Sequence, residues 1–146
     1  MPQKILIIKL GSAGDVLRTT SILSGLKEKY PDSAITWLVN EDGSELLKGN
    51  PNIDKIIPYS CDYAKALLSE HFDIILSLDK AEGGIKLASL VKAKEKYGFG
   101  LDEKGQLQPL NKKSEYSCRL GIDDELKFFK NKKTYQELIY EMVEMD

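Results

Sequence analysis

Lys4–Leu26 reads KILIIKLGSAGDVLRTTSILSGL, and this stretch decides the fold. It opens with a nearly unbroken apolar run, Ile5 to Ile8, extended to Leu10. It breaks at the small residues Gly11, Ser12, Ala13 and Gly14, then presents one carboxylate, Asp15. Beyond that, Val16, Thr19, Leu23, Leu26 and Tyr30 recur at helical spacing, so a helix is predicted from near Gly14 to Tyr30. A continuous apolar strand suits a parallel sheet covered on both faces. Strand, glycine-containing turn and helix in this order form the first half of a βαβ unit. Ligands of such sheets gather where strands end and helices begin. Asp15 is therefore expected at the carboxyl edge of the sheet, in the first turn of a helix.

Further strands are predicted at Ala34–Val39, Ile53–Pro58 and Phe72–Leu78, with a weaker one at Lys94–Phe99, where lysines suit a sheet edge. Helices are predicted at Ser44–Lys48, after a loop at Asn40–Gly43, at Tyr63–Glu70 and from Gly83-Gly84 to Val91. Strands alternating with helices give an α/β class: a Rossmann-like, open, mostly parallel sheet with helices on both faces. Trp37 reads as core. After Gly100 the composition turns polar. A hairpin at Glu103-Lys104-Gly105 and a helix from Glu115 to Leu120, capped by Ser114 and ended by Gly121, are expected. Asp123–Lys130 is ambiguous. Lys133–Met145 reads as an amphipathic helix with Tyr135, Leu138, Ile139 and Met142 on one face. The 146 residues are read as a single domain, about 1–100 the core sheet and about 101–146 a polar extension with a C-terminal helix.

Composition excludes several classes. The net charge of −2 shows no basic bias, so nucleic acid is not an expected partner. No apolar run approaches the roughly 20 residues of a membrane span, and the amino terminus lacks the pattern of a secretory signal. Cys61 and Cys118 form no metal-ligand spacing and are expected as reduced thiols in a cytoplasmic protein. No metal and no cofactor are expected.

The turn KLGSAGDVLRTT matches neither a dinucleotide-binding glycine pattern nor a P-loop, because no lysine follows its second glycine. The residues leave two readings of Asp15 open. It is a first-turn acid favoured by the helix dipole, worth roughly 0.3–1 kcal/mol, or a general base that takes the proton of a sugar hydroxyl. Gly11, Ser12, Ala13 and Gly14 are candidate backbone contacts to a ligand. Arg18 is a candidate contact to an anionic group, set against an ion pair within the chain. Asp79 and Lys80, at the carboxyl end of the fourth strand, are candidates set against solvated loop charges. Thr19 and Thr20 read as helix packing, and His71 lies at the wrong end of the sheet for chemistry. Glu41, Asp42 and Glu45 read as helix-capping acids, and the lysine runs Lys92–Lys96 and Lys127–Lys133 as solvated faces.

Gly11–Thr20, GSAGDVLRTT after an apolar strand, resembles the opening of glycosyltransferase family 9, the bacterial heptosyltransferases of lipopolysaccharide synthesis. Asn50–Ile57 (NPNIDKII), Phe72–Ile75 (FDII), Leu87-Ala88-x-Leu90-x-Lys92-Ala93-Lys94 and Tyr97-Gly98-Phe99 are similar as well. Gly121–Phe129 and Lys133–Tyr140 resemble a longer branch of the family. The resemblance implies the N-terminal, acceptor-binding half of a two-domain GT-B glycosyltransferase whose nucleotide-sugar-binding C-terminal domain is absent. It implies inverting, metal-independent transfer of heptose from ADP-heptose to a lipid-linked inner-core saccharide. Asp15 matches the family's catalytic base; Gly11, Ser12, Ala13, Gly14, Arg18, Asp79 and Lys80 stay candidate acceptor contacts beside it. It further implies a cytoplasmic location with peripheral contact at the inner face of the inner membrane, and a chain inactive alone. Two rivals are a non-catalytic α/β module that binds a saccharide or a protein, and a phosphoacceptor receiver domain. The receiver is disfavoured because no acidic pair follows the first strand.

Overall fold

The computed structural model describes residues 2–123 and 126–145. Five strands run parallel: β1 (Lys4–Ile8), β2 (Ala34–Val39), β3 (Lys55–Pro58), β4 (His71–Ser77) and β5 (Lys92–Leu101). A short sixth, β6 (Leu107–Pro109), pairs antiparallel with β5, and the sheet order is β3-β2-β1-β4-β5-β6. This is the α/β, mostly parallel sheet the sequence implies.

β1 sits at the centre because both of its faces are apolar. Ile5 and Ile7 enter one buried cluster with Val16, Leu26, Trp37 and Ile139. Leu6 and Ile8 point the other way, into a cluster with Leu67, Phe72, Leu87 and Val91. The two-residue period of a strand divides the run between the layers. On the first face lie α1 (Ala13–Thr19), α2 (Leu23–Lys29) and the C-terminal α7 (Tyr135–Met142); on the second lie α4 (Cys61–Leu68) and α5 (Glu82–Leu90). α3 (Glu41–Leu47) packs beside α1, and α6 (Glu115–Ile122) follows β6.

Several boundaries differ from the sequence reading. The first helix is broken by a 3₁₀ turn at Thr20–Ile22. Thr19 Oγ1 donates to the Asp15 carbonyl at 2.7 Å and Thr20 Oγ1 to the Leu17 carbonyl at 2.5 Å; such back-bonding competes with the regular ladder. α3 begins at Glu41, not Ser44, so Glu41 and Asp42 occupy a first turn where the dipole favours acids. The lysine-bearing part of β5 pairs with β4 alone and is an edge, while the hairpin at Gly105 (φ +76°) returns β6 alongside Phe99–Leu101. Gly98, in β5, has φ +104°, and a Cβ there would lie 1.9 Å from the Ser77 carbonyl oxygen, which only glycine avoids.

Ser114 does not cap α6. It ends a 3₁₀ turn at Lys112–Ser114 and spends its hydroxyl on Asn111 Oδ1 at 2.5 Å. The ambiguous stretch contains a π-helical turn at Leu126–Lys130, while Asp124 and Glu125 lie outside the described residues. α7 begins two residues later than predicted, with Thr134 Oγ1 accepting from the Glu137 amide at 3.1 Å. Cys118 is a buried free thiol, pushed up to about 11 by burial; the Cys61 side chain lies outside the description. Among the described residues no helix is long and apolar enough to cross a membrane.

Candidate functional site

The chain leaves β1 toward β2 on one side and later crosses back to lay β4 on the other. The strand order therefore reverses between β1 and β4, and a crevice opens at their carboxyl ends. A cleft of about 310 Å³ lies here. The loop after β1 contributes Lys9, Gly11 and Asp15; the loop after β4 contributes Leu78, Asp79 and Lys80. α7 closes the far wall with Tyr135, Leu138, Ile139 and Met142.

Asp15 stands in the first turn of α1 with its side chain 31% exposed. The carboxylate is neither sealed in the core nor turned from the cleft. Arg18 Nη2 closes onto Asp15 Oδ1, the intramolecular ion pair that was one of the two readings of Arg18. The guanidinium also lies 4.3 Å from the centroid of the Tyr135 ring. Ser12 Oγ stands 3.4 Å from Asp15 Oδ2. Ser12, Ala13 and Gly14 are exposed beside the cleft, and Gly11 is half-buried within it.

Thr19 is fully buried. Thr19 Oγ1 donates to the Asp15 carbonyl at 2.7 Å, and Tyr135 Oη lies 2.7 Å from Thr19 Oγ1 and 3.5 Å from the Asp15 carbonyl oxygen. The last helix is thus tied to the first turn of α1 through one phenol. Burial pushes the Tyr135 phenol above its ordinary range, so it remains a hydrogen-bond donor at neutral pH.

Asp79 is not a solvated loop charge. It is 6% exposed. Oδ2 accepts from the Leu10 amide at 2.7 Å and the Gly11 amide at 3.2 Å, and Oδ1 accepts from the Ala81 amide at 2.8 Å. One carboxylate therefore fastens the loop after β1 to the loop after β4 and shapes the crevice. Lys80 is exposed as a residue, but its side chain lines the cleft and its ammonium lies 5.3 Å from the Phe99 ring centroid.

Lys9, Tyr135 and Phe99 are site residues that the sequence reading missed. Lys9 interrupts an otherwise apolar run at the carboxyl end of a doubly covered strand, which was a legible signal. It is 7% exposed, and its main chain is engaged on both sides. The amide donates to the Leu38 carbonyl at 3.2 Å, and the carbonyl accepts from Trp37 Nε1 at 3.1 Å. Other candidates stay apart from the cleft. His71 is exposed at the amino end of β4. Glu45 pairs with Lys48 at 2.6 Å and Lys94 with Asp73 at 3.3 Å, as surface charges do.

A carboxylate on an open rim, shared with an arginine and backed by a buried lysine, can accept a proton from a bound hydroxyl and pair with a charged ligand. No protein-family model matches the chain. The lipopolysaccharide core heptosyltransferase OpsX of Haemophilus influenzae is 32% identical over 107 residues, 68% of this chain and 30% of that protein. The glycosyl transferase family 9 structure from Veillonella parvula is 26% identical with a TM-score of 0.60, over 67% of this chain and 32% of that one. Escherichia coli heptosyltransferase WaaC, solved with ADP-2-deoxy-2-fluoro heptose, is similar in fold. Its TM-score is 0.62 at 17% identity, over 98% of this chain and 49% of that one. The chain spans about a third of the length of the curated relatives it matches. With a glycine-containing turn and an acid at the switch point of this sheet, and with relatives that share both sequence and fold, the chain belongs to glycosyltransferase family 9, alongside its lipopolysaccharide heptosyltransferases.

Proposed function

We propose that the chain is the acceptor-binding half of an inverting heptosyltransferase, with Asp15 as the base that takes a proton from the acceptor hydroxyl. The observation that carries this reading is the position of Asp15: a one-third exposed carboxylate at the switch-point cleft. A base must come within hydrogen-bond reach of the proton it removes, and the place of Asp15 in the cleft lining, where a β1–loop–α1 unit would hold a ligand, supports the reading. Gly11, Ser12, Ala13 and Gly14 bring main chain beside it. Arg18 and Lys80 supply charge, while Asp79 acts through the loops it fastens.

The acceptor in this reading is a lipid-linked inner-core saccharide, met at the cytoplasmic face of the inner membrane, and the donor is ADP-heptose held by a second domain. Catalysis needs both substrates in one geometry. The 146-residue chain alone is therefore expected to transfer no heptose. Joined to the donor-binding half of a family 9 relative, it is expected to transfer heptose from ADP-heptose to an inner-core acceptor in a discontinuous assay of the product. A joined protein that folds and binds ADP-heptose yet leaves the acceptor unmodified would favour the non-catalytic module. Transfer by the chain alone would contradict the division of labour.

A further inference from the structure

Asp15 and Arg18 stand three residues apart on α1, and their pair is open to water. The Arg18 side chain is 49% exposed and the Asp15 side chain 31%. An ion pair so exposed holds its partners loosely, because solvent screens the attraction and rotamer entropy opposes it. The guanidinium is nonetheless closed onto Asp15 Oδ1. What holds it there comes from the far end of the chain. Tyr135, on α7, sets its ring centroid 4.3 Å from the guanidinium carbon. A planar guanidinium lies well on an aromatic face, so the ring gives Arg18 a seat beside the carboxylate.

That seat is rigid. Thr19 Oγ1 gives its proton to the Asp15 carbonyl, so the Tyr135 hydroxyl is the donor in the 2.7 Å bond between the two side chains. This bond fixes the phenol end of the ring against the turn of α1 that carries Asp15. α7 is fastened further along as well: Tyr140 Oη donates to the Ser21 carbonyl at 2.8 Å, and Asn111 Nδ2 to the Met142 carbonyl at 2.8 Å. Lys9 guards the inner side. Its ammonium lies 5.9 Å from the Tyr135 ring centroid, and like charge disfavours a guanidinium moving deeper into the cleft. Asp79 offers Arg18 no second partner, since three main-chain amides occupy that carboxylate.

We propose that Tyr135 is a positioning residue for Asp15: its ring seats Arg18 against the carboxylate, and its hydroxyl ties α7 to the turn that bears the base. It acts through Arg18 and Thr19 and holds the carboxylate in one orientation at the cleft. Orientation matters here because a reacting group misplaced by about 1 Å loses on the order of 10²-fold in rate. This rests on the reading of Asp15 as the base and adds the residue that holds it.

The test has two arms. In the 146-residue chain, proton NMR of the Arg18 side chain reads the seat. Its Cδ protons are expected to be shifted upfield by the ring current in wild type and in Tyr135→Phe, and to return to ordinary shifts in Tyr135→Leu. In the joined enzyme, steady-state kinetics read the consequence. Tyr135→Leu and Arg18→Gln are each expected to lower kcat at least about tenfold with the KM for ADP-heptose unchanged, and Tyr135→Phe to stay within about threefold of wild type. Added to Asp15→Asn, Tyr135→Leu is expected to cost less than about twofold more, because the group it positions has already lost its function. A ring that only filled space would cost the same in both backgrounds. Arg18→Gln alters a half-exposed side chain, so the kinetic arm stands should Tyr135→Leu fail to fold. The proposal is overturned if the wild-type Arg18 protons show no ring-current shift, if Arg18→Gln keeps normal turnover, or if Tyr135→Phe falls as far as Tyr135→Leu. A full loss in Asp15→Asn with an undiminished further loss from Tyr135→Leu removes this proposal and leaves the base standing. Near-normal turnover of Asp15→Asn alone removes the base and this proposal with it, so the two failures are told apart.

Discussion

Replacing Asp15 with asparagine in the joined enzyme is expected to lower turnover by at least about 10²-fold, with affinity for ADP-heptose largely kept. Asparagine preserves the size of the side chain and an oxygen for Arg18, so the first turn of α1 keeps its geometry. What it removes is the capacity to take a proton. Asp15→Ala removes the partner of Arg18 as well, and is expected to lower turnover at least as far. Steady-state kinetics with saturating donor check both. If Asp15 were only a first-turn acid, Asp15→Asn would keep near-normal turnover and cost a few tenths of a kcal/mol in stability.

The largest expected effect on folding belongs to Asp79. Asp79→Ala leaves the amides of Leu10, Gly11 and Ala81 without their acceptor, and the Leu10 bond is buried. A buried donor left unpaired costs about 1–3 kcal/mol. Water reaching the outer two would satisfy part of the loss, so a total near 3 kcal/mol is expected. Asp79→Asn is expected to fall between wild type and alanine. It keeps one oxygen for Leu10 and Gly11, or one for Ala81, and turns an NH₂ donor toward the other. Urea unfolding at neutral pH measures both. A loss within about 0.5 kcal/mol of wild type would mean that Asp79 does not fasten the two loops.

Much of the fold was legible because it rests on local pattern. The run Ile5–Ile8 needs apolar cover on both sides, and the strands that follow alternate with helices. What was misread depended on distant partners. Glu41-Asp42-Gly43 looks like a loop. It is helix because acids suit a first turn and because Gly43 lets α3 approach β2: a Cβ there would meet Val39 Cγ2 at 2.7 Å. The lysines of Lys92–Lys96 suggested an edge strand. That half of β5 is an edge, but the end of the strand, Phe99–Leu101, receives β6, a pairing made only when the hairpin closes.

The site divides in the same way. Asp15 was visible as a lone acid after a strand and a small-residue turn. Asp79 and Lys80 were visible as charges at a strand's carboxyl end, but not the difference between them. Whether a loop carboxylate faces water or three amides depends on how closely two loops approach. Tyr135 was read as one apolar position of a helix. Its contact with Thr19 spans 116 residues, and no spacing rule reaches that far.

The most direct test of the central claim is a crystal structure of the chain with an inner-core saccharide bound. It should show an acceptor hydroxyl within about 3.2 Å of the Asp15 carboxylate, in the cleft between the β1 and β4 loops and the α7 wall. A saccharide bound elsewhere, with Asp15 still closed on Arg18 and no hydroxyl near it, would contradict the claim.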